Sequence, residues 1–121
     1  MALPTYLDLS IMRGDSKTWT FTLVDEDAVA LPALTNAWFT AKRQLRDADA
    51  NAVFQLTLGV GIVDDGGGVI RVTAAGTATA ALPGAPVNLH YDLQVKPTGG
   101  AVQTALYGAL AVQPDVTRAT A

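Results

Sequence analysis

Thr18-Trp19-Thr20-Phe21-Thr22-Leu23 is the stretch whose reading decides the fold: three threonines interleave with Trp19, Phe21 and Leu23 in a strict period of two. Successive side chains of an extended chain point to opposite faces, so this pattern makes a strand with one buried and one wet face. Threonine and the aromatic residues also favour a pleated backbone. Trp19, Phe21 and Leu23 are therefore expected to face a core. The same period recurs further on, where Leu89, Tyr91, Leu93 and Val95 alternate with His90, Asp92 and Gln94.

Working outward, Leu7, Leu9 and Ile11 alternate with Asp8 and Ser10, which predicts a first strand over Tyr6 to Ile11. Arg13-Gly14-Asp15 reads as the turn into the second strand. Leu31-Pro32 precedes a third, from about Asn36 to Arg43, and the polar, alanine-rich stretch 46–51 is expected to be a loop or short helical turn. A short strand follows from Val53 to Leu58. Gly59-Val60-Gly61-Ile62-Val63 then leads into Asp64-Asp65-Gly66-Gly67-Gly68, a concentrated turn signal, before a strand from Val69 to Thr73. Ala74 to Leu82 has no apolar stripe and is expected as a helical turn or loop crossing between sheets, ended by Pro83 and Pro86. Gly99-Gly100 reverses the 89–95 strand into a final one from about Val102 to Val112, so these two form a hairpin. Truncation before Val102 is expected to expose a sheet edge and abolish folding. About seven strands separated by turn signals make the pattern of an all-β, immunoglobulin-like antiparallel β-sandwich.

The chain has 121 residues, enough for one core, and is read as a single domain over 1–121 with flexible ends at about 1–5 and 113–121. Half of the residues are apolar and 16% are charged, which favours a packed body over a disordered tail. No apolar run approaches the roughly 20 residues of a membrane-spanning helix. The first residues carry neither a basic leader nor an apolar signal region, so synthesis in the cytoplasm is expected. With no cysteine, disulfides, thiolate zinc sites and cysteine nucleophiles are excluded. A net charge of −3 argues against nucleic acid and anionic lipid as partners and in favour of protein.

Motifs that could carry chemistry have plainer explanations. Arg13-Gly14-Asp15 can be an adhesive tripeptide on a loop, but a turn between two strands accounts for its glycine. His90, the only histidine, would have to be the base of a hydroxyl nucleophile; it lies in an alternating strand, on the face opposite Leu89 and Tyr91. The acids at 25–27 and 64–65 lack the spacing of a calcium loop and read as solvated turns. Gly66-Gly67-Gly68 opens no helix and is followed by no phosphate-binding lysine. No enzyme, cofactor or metal site is expected. Trp38 and Phe39 are adjacent, so one of them must leave the core side of a regular strand. Trp38 with Tyr107 is the one pair that could form a sugar-stacking platform, and Tyr6, Trp38, Tyr107 and Arg118 are the candidate protein-interface residues.

Several of these segments, in order, carry a resemblance. Arg13-Gly14-Asp15 leading into Thr18-Trp19-Thr20-Phe21, then Leu34-Thr35-Asn36-Ala37-Trp38-Phe39-Thr40-Ala41-Lys42-Arg43, resembles small β-sandwich proteins of tailed phages that are similar to the N-terminal domain of baseplate upper proteins. Gly68-Val69-Ile70-Arg71-Val72, Leu82-Pro83-Gly84, Tyr91-Asp92-Leu93-Gln94-Val95, Thr104 to Leu110 and Pro114-Asp115-Val116-Thr117-Arg118 continue the likeness. The resemblance implies a virion structural protein. It would attach to tail or baseplate proteins as an adaptor, with decoration of the head on the major capsid protein as the alternative; from a different class, and from Trp38 with Tyr107 and not from the resemblance, a carbohydrate-binding module is a second alternative. A virion component of this kind is expected in many copies per particle that touch one another, and the resemblance implies strand and turn determinants in place of a catalytic set.

Overall fold

The computed structural model describes residues 3–25, 27–82 and 86–114. Those residues form nine strands: β1 (Thr5–Tyr6), β2 (Leu9–Met12), β3 (Lys17–Thr22), β4 (Leu34–Lys42), β5 (Phe54–Leu58), β6 (Gly61–Gly66), β7 (Val69–Ala74), β8 (Val87–Pro97) and β9 (Gln103–Gln113). The only helical pieces among them are two three-residue 3-10 turns, Asp49–Asn51 and Gly76–Ala78. The chain is all-β, as the alternation requires. In β3, Trp19 and Phe21 turn inward and Thr18, Thr20 and Thr22 outward.

Hydrogen bonding joins the strands into one mixed sheet in the order β1-β9-β8-β4-β5-β6-β7-β3, with β2 also on β9. The sheet curls over on itself at β5 and β6. After Leu58 the chain makes one tight loop, closed by Val60 N–H donating to the Thr57 carbonyl (2.8 Å) and Gly59 N–H to that of Ile62 (2.9 Å). It then continues parallel to β5, one strand position over. Gly61 makes this step feasible: its φ is +92°, and a Cβ there would sit 2.8 Å from the Leu56 side chain. Beyond the step, β6, β7 and β3 lie against the inner face of β4. The Trp19 ring of β3 stacks on the Phe39 ring of β4 at 5.7 Å and 17°. Leu23, Phe39, Ile62, Val72, Leu89 and Leu93 are fully buried between the two layers.

The architecture departs from the sequence expectation in particular places. Nine strands stand where about seven were expected, and three pairings, β1–β9, β2–β9 and β5–β6, are parallel in what was expected to be an antiparallel assembly. The expected strand over 6–11 is broken at Leu7 and Asp8, which turn in to hold β9. Leu7 N–H donates to the Tyr107 carbonyl (2.9 Å), and the Asp8 carboxylate accepts from Ala109 N–H (3.1 Å). That approach is so close that a Cβ on Gly108 would lie 2.4 Å from the Leu7 carbonyl oxygen. Residues 61–66, expected to lead into a turn, are a strand, fixed partly by the Asp64 carboxylate, which accepts from Leu34 N–H and Gly66 N–H (both 2.9 Å). Thr5 and Gln113, expected within flexible ends, are paired with Leu106 and Met12. Residues 1–2 and 115–121, and the expected stop at Pro83, lie outside the described residues.

Arg13-Gly14-Asp15 does form the β2–β3 turn. Its arginine donates to the Ala80 carbonyl (2.7 Å) and Gly14 N–H donates to the buried Thr79 hydroxyl (3.0 Å), so the turn is clamped onto the 3-10 crossing. No buried side-chain polar atom among the described residues lacks a partner. Phe39→Ala is expected to lower the unfolding free energy by about 3–5 kcal/mol, whereas Val60→Ala, on the exposed loop, should shift it by less than about 0.5 kcal/mol; urea denaturation followed by tryptophan emission measures both.

Candidate functional site: an aromatic groove on the outer sheet face

Because Ala37, Phe39 and Ala41 of β4 point into the core, Trp38, Thr40 and Lys42 must point out. β8 obeys the same rule, with Leu89, Tyr91, Leu93 and Val95 inward and His90, Asp92 and Gln94 outward. β9 needs a device to match. Leu93 pairs with Leu106 but Gln94 pairs with Thr104, so Ala105 is an extra, bulged residue. Thr104 and Tyr107 are three positions apart and would face opposite sides of a regular strand; the bulge puts both on the outer face.

Register then assembles the outer side chains into rows across the sheet. One row runs Gln55, Thr40, Asp92, Tyr107, Tyr6, and the next runs Thr57, Trp38, Gln94, Thr104. Lys42 and His90 begin a third. At about 4.8 Å per strand the longest row spans about 19 Å. Together they line a groove of about 680 Å³, with Leu45 and Val102 on its rim. Tyr6, Leu45, Val102 and Tyr107 are four of the eight large apolar side chains exposed among the described residues, so half of those side chains are gathered here. Tyr6 meets Tyr107 edge-on at 5.3 Å.

The groove's polar side chains divide into two sets. On the β4–β5 side they satisfy one another: Lys42 pairs with Asp49 at 2.7 Å and Gln55 Nε2 donates to the Thr40 hydroxyl at 2.9 Å. Lys42, by hydrogen bond and charge, holds the Asp49 carboxyl below its ordinary range. On the β8–β9 side, the side chains of His90, Asp92, Gln94 and Thr104 make no hydrogen bond among the described residues. Partial burial pushes the Asp92 carboxyl above its usual range, opposed in part by Lys42. Beneath the floor, Tyr91 keeps its ring in the core while its hydroxyl donates to the Leu7 carbonyl, and burial raises its phenol far above the ordinary value. Tyr6 is raised as well, first by its hydrogen bond with Asp8.

Of the residues nominated from the sequence, Tyr6, Trp38 and Tyr107 converge on this one groove, and Arg118 lies outside the described residues. Trp38 is the outward member of its pair and Phe39 the inward one. His90 faces out on an exposed position, with no hydrogen bond to a carboxylate or hydroxyl. Asp25 caps its own turn through Asp27 N–H (2.9 Å) and Val29 N–H (3.0 Å), and Asp65 is held by Arg71 at 2.5 and 3.0 Å. Among the described residues no three histidine or acidic side chains come together as a metal site. Sequence reading passed over Asp92, Gln94 and Thr104; the alternation of 89–95 already put the first two on one face with His90.

A scan against protein-family models matches none, and a search of the curated proteins finds no match.

The Asp92 carboxyl supplies a check on this geometry. Its folded pKa lies above its unfolded one, so the folded state holds the extra proton and stability declines as pH rises through that window. Asp92→Asn is therefore expected to raise the urea midpoint at about pH 7 and to leave it unchanged below about pH 3, where the carboxyl is protonated in both states.

Proposed function

We propose that this chain is a non-catalytic, immunoglobulin-like structural domain of a tailed-phage particle, bound to neighbouring tail or baseplate proteins and to further copies of itself. The immunoglobulin-like part of the reading is supported by strand neighbours. Such sandwiches place their second, fifth and fourth strands in one sheet and their third, sixth and seventh in the other, with an added strand beside the third. Here β3-β7-β6 make one layer and β5-β4-β8-β9 the other, which is that order once β1 and β2 count as the first strand and β5 as the added one. The step from β5 to β6 joins what are otherwise two sheets.

The observation that carries the virion reading is where the residues of the resemblance fall. Arg13 and Gly14 clamp a turn, Trp19, Phe21, Phe39 and Tyr91 fill the core, and Gly108 admits the β1–β2 connection. They are determinants of a scaffold, the kind of residue that a family of structural domains shares. The edge made by β1 and β2 suits assembly. It bears exposed Tyr6 and Met12, and it lies alongside β9, from which residues 115–121 follow. Contacts of a strand edge and a chain end with a neighbour, repeated over many copies, give avidity without strong single contacts.

Immunogold labelling of purified particles with an antibody to this chain is expected to mark the tail or its tip. Label around the head would move the reading to decoration of the capsid, and particles that carry no label would end it. Deleting 115–121 together with Tyr6→Ser and Met12→Ser should reduce incorporation on the order of tenfold while leaving the thermal midpoint of the free domain nearly unchanged.

A further inference from the structure

We propose that the outer groove of β4, β8 and β9 is a saccharide-binding site that takes a short neutral oligosaccharide, its rings stacking on Trp38 and Tyr107 and its hydroxyls hydrogen-bonding to Asp92 and Gln94. The virion reading rests on the scaffold and the β1–β2 edge; the two surfaces share Tyr6, so the saccharide proposal is argued and tested on Trp38, Tyr107, Asp92 and Gln94 alone.

Three features of the groove favour a sugar over the apolar core of a protein interface. First, a carboxyl stands at its middle. Protein interfaces exclude charged groups from their centres, whereas here the middle of the longest row is Asp92, between Thr40 and Tyr107. Second, the free hydrogen-bonding capacity is of both kinds. Asp92 accepts, Gln94 and Thr104 donate and accept, and none of these side chains hydrogen-bonds to another described residue. Sugar hydroxyls likewise donate and accept. Leaving such a set dry and unpaired beneath an apolar partner would carry a desolvation cost that a sugar avoids.

Third, the aromatic rings flank the polar row. Trp38 lies opposite Gln94 on one side and Tyr107 opposite Asp92 on the other, offset by one row. Two strand spacings across and two residues along put their backbone positions about 12 Å apart, a distance that linked rings bridge and a single ring does not. Charge selects for neutrality. Lys42 is already paired with Asp49, and among the described residues no other lysine or arginine lines the groove, so the remaining Asp92 disfavours carboxylates and phosphates. The β4–β5 wall, tied by Lys42–Asp49 and Gln55–Thr40, is preorganised and needs no rearrangement on binding.

The chain contains two tryptophans, Trp19 in the core and Trp38 in the groove, so intrinsic emission reports on the site directly. The test is a printed glycan array, followed by titration of the full chain with cellohexaose, maltohexaose, xylohexaose and chitohexaose. The expected result is saturable binding of a neutral glycan with protection of Trp38 from acrylamide quenching. Trp38→Ala and Tyr107→Ala should each weaken binding about tenfold or more, and Gln94→Ala about threefold or more, at unchanged thermal midpoint; Val63→Ser, on another strand, should have no effect. Absence of binding across the array and up to about 10 mM hexasaccharide overturns the proposal, as does binding that survives Trp38→Ala. Loss of particle incorporation in Trp38→Ala without any glycan binding would make the groove a protein joint, overturning this proposal and leaving the virion reading in place. Glycan binding by a chain that labels no particle would do the reverse.

Discussion

The ring of Phe39 is the point on which the two layers meet. Trp19 from β3, Tyr91 from β8 and Phe54 from β5 all stack on or beside it, with centroids 5.7, 5.2 and 5.9 Å away and planes within 15–19° of parallel. Offset stacking of this kind adds about 0.5–1.5 kcal/mol per pair beyond the area buried. A chain without cysteine cannot hold two layers together with a cross-sheet disulfide, and this aromatic stack occupies the middle of the core in its place. The stack also reaches the sheet edge, since the Tyr91 hydroxyl, at the far end of a ring packed on Phe39, anchors the Leu7 carbonyl and with it the kink between β1 and β2.

The same constraint makes the groove. Strand side chains alternate, so fixing Phe39 inward sends Trp38 outward, and fixing Tyr91 inward sends His90 and Asp92 outward. The aromatic stack within and the aromatic-polar surface without are two faces of one alternation. The bulge at Ala105 corrects β9, and it keeps both Ala105 and Leu106 buried while turning Tyr107 out beside Asp92. A groove built this way inherits the rigidity of a packed core, because moving Trp38 or Asp92 would require moving Phe39 or Tyr91.

This division separates what local alternation discloses from what long-range pairing decides. The strands at 18–23, 36–43, 69–73 and 89–95 and the closing hairpin were legible because each declares itself in local alternation, and Trp38 was legible as an odd residue because Phe39 sits beside it. β6 was hidden: its residues Gly61, Asp64, Asp65 and Gly66 have turn chemistry, and its place as a strand comes from long-range pairing with β7 and from Asp64 reaching Leu34. The break at Leu7–Asp8 was hidden too, because alternation runs straight through it and only Gly108, 101 residues beyond Leu7, discloses the close approach. The groove needed register. Tyr6, Trp38 and Tyr107 were individually notable, but only the pairing of β1 with β9 and of β4 with β8 brings them to one surface.

Electrostatics separates the groove from the rest of the acidic surface. Most of the chain's carboxylates that the structure describes are committed: Asp8 to Ala109, Asp25 to its own turn, Asp64 to Leu34, Asp49 to Lys42 and Asp65 to Arg71. Those contacts serve the fold or the solvated surface, where an exposed pair contributes little. Asp92 differs. It is half-buried, its nearest cation already belongs to Asp49, and partial desolvation is what raises its pKa. A folded chain gains little by placing a carboxyl without a hydrogen bond on a half-covered surface between Thr40 and Tyr107. A carboxyl kept at such a position at some cost in stability is what the saccharide site proposed above would require.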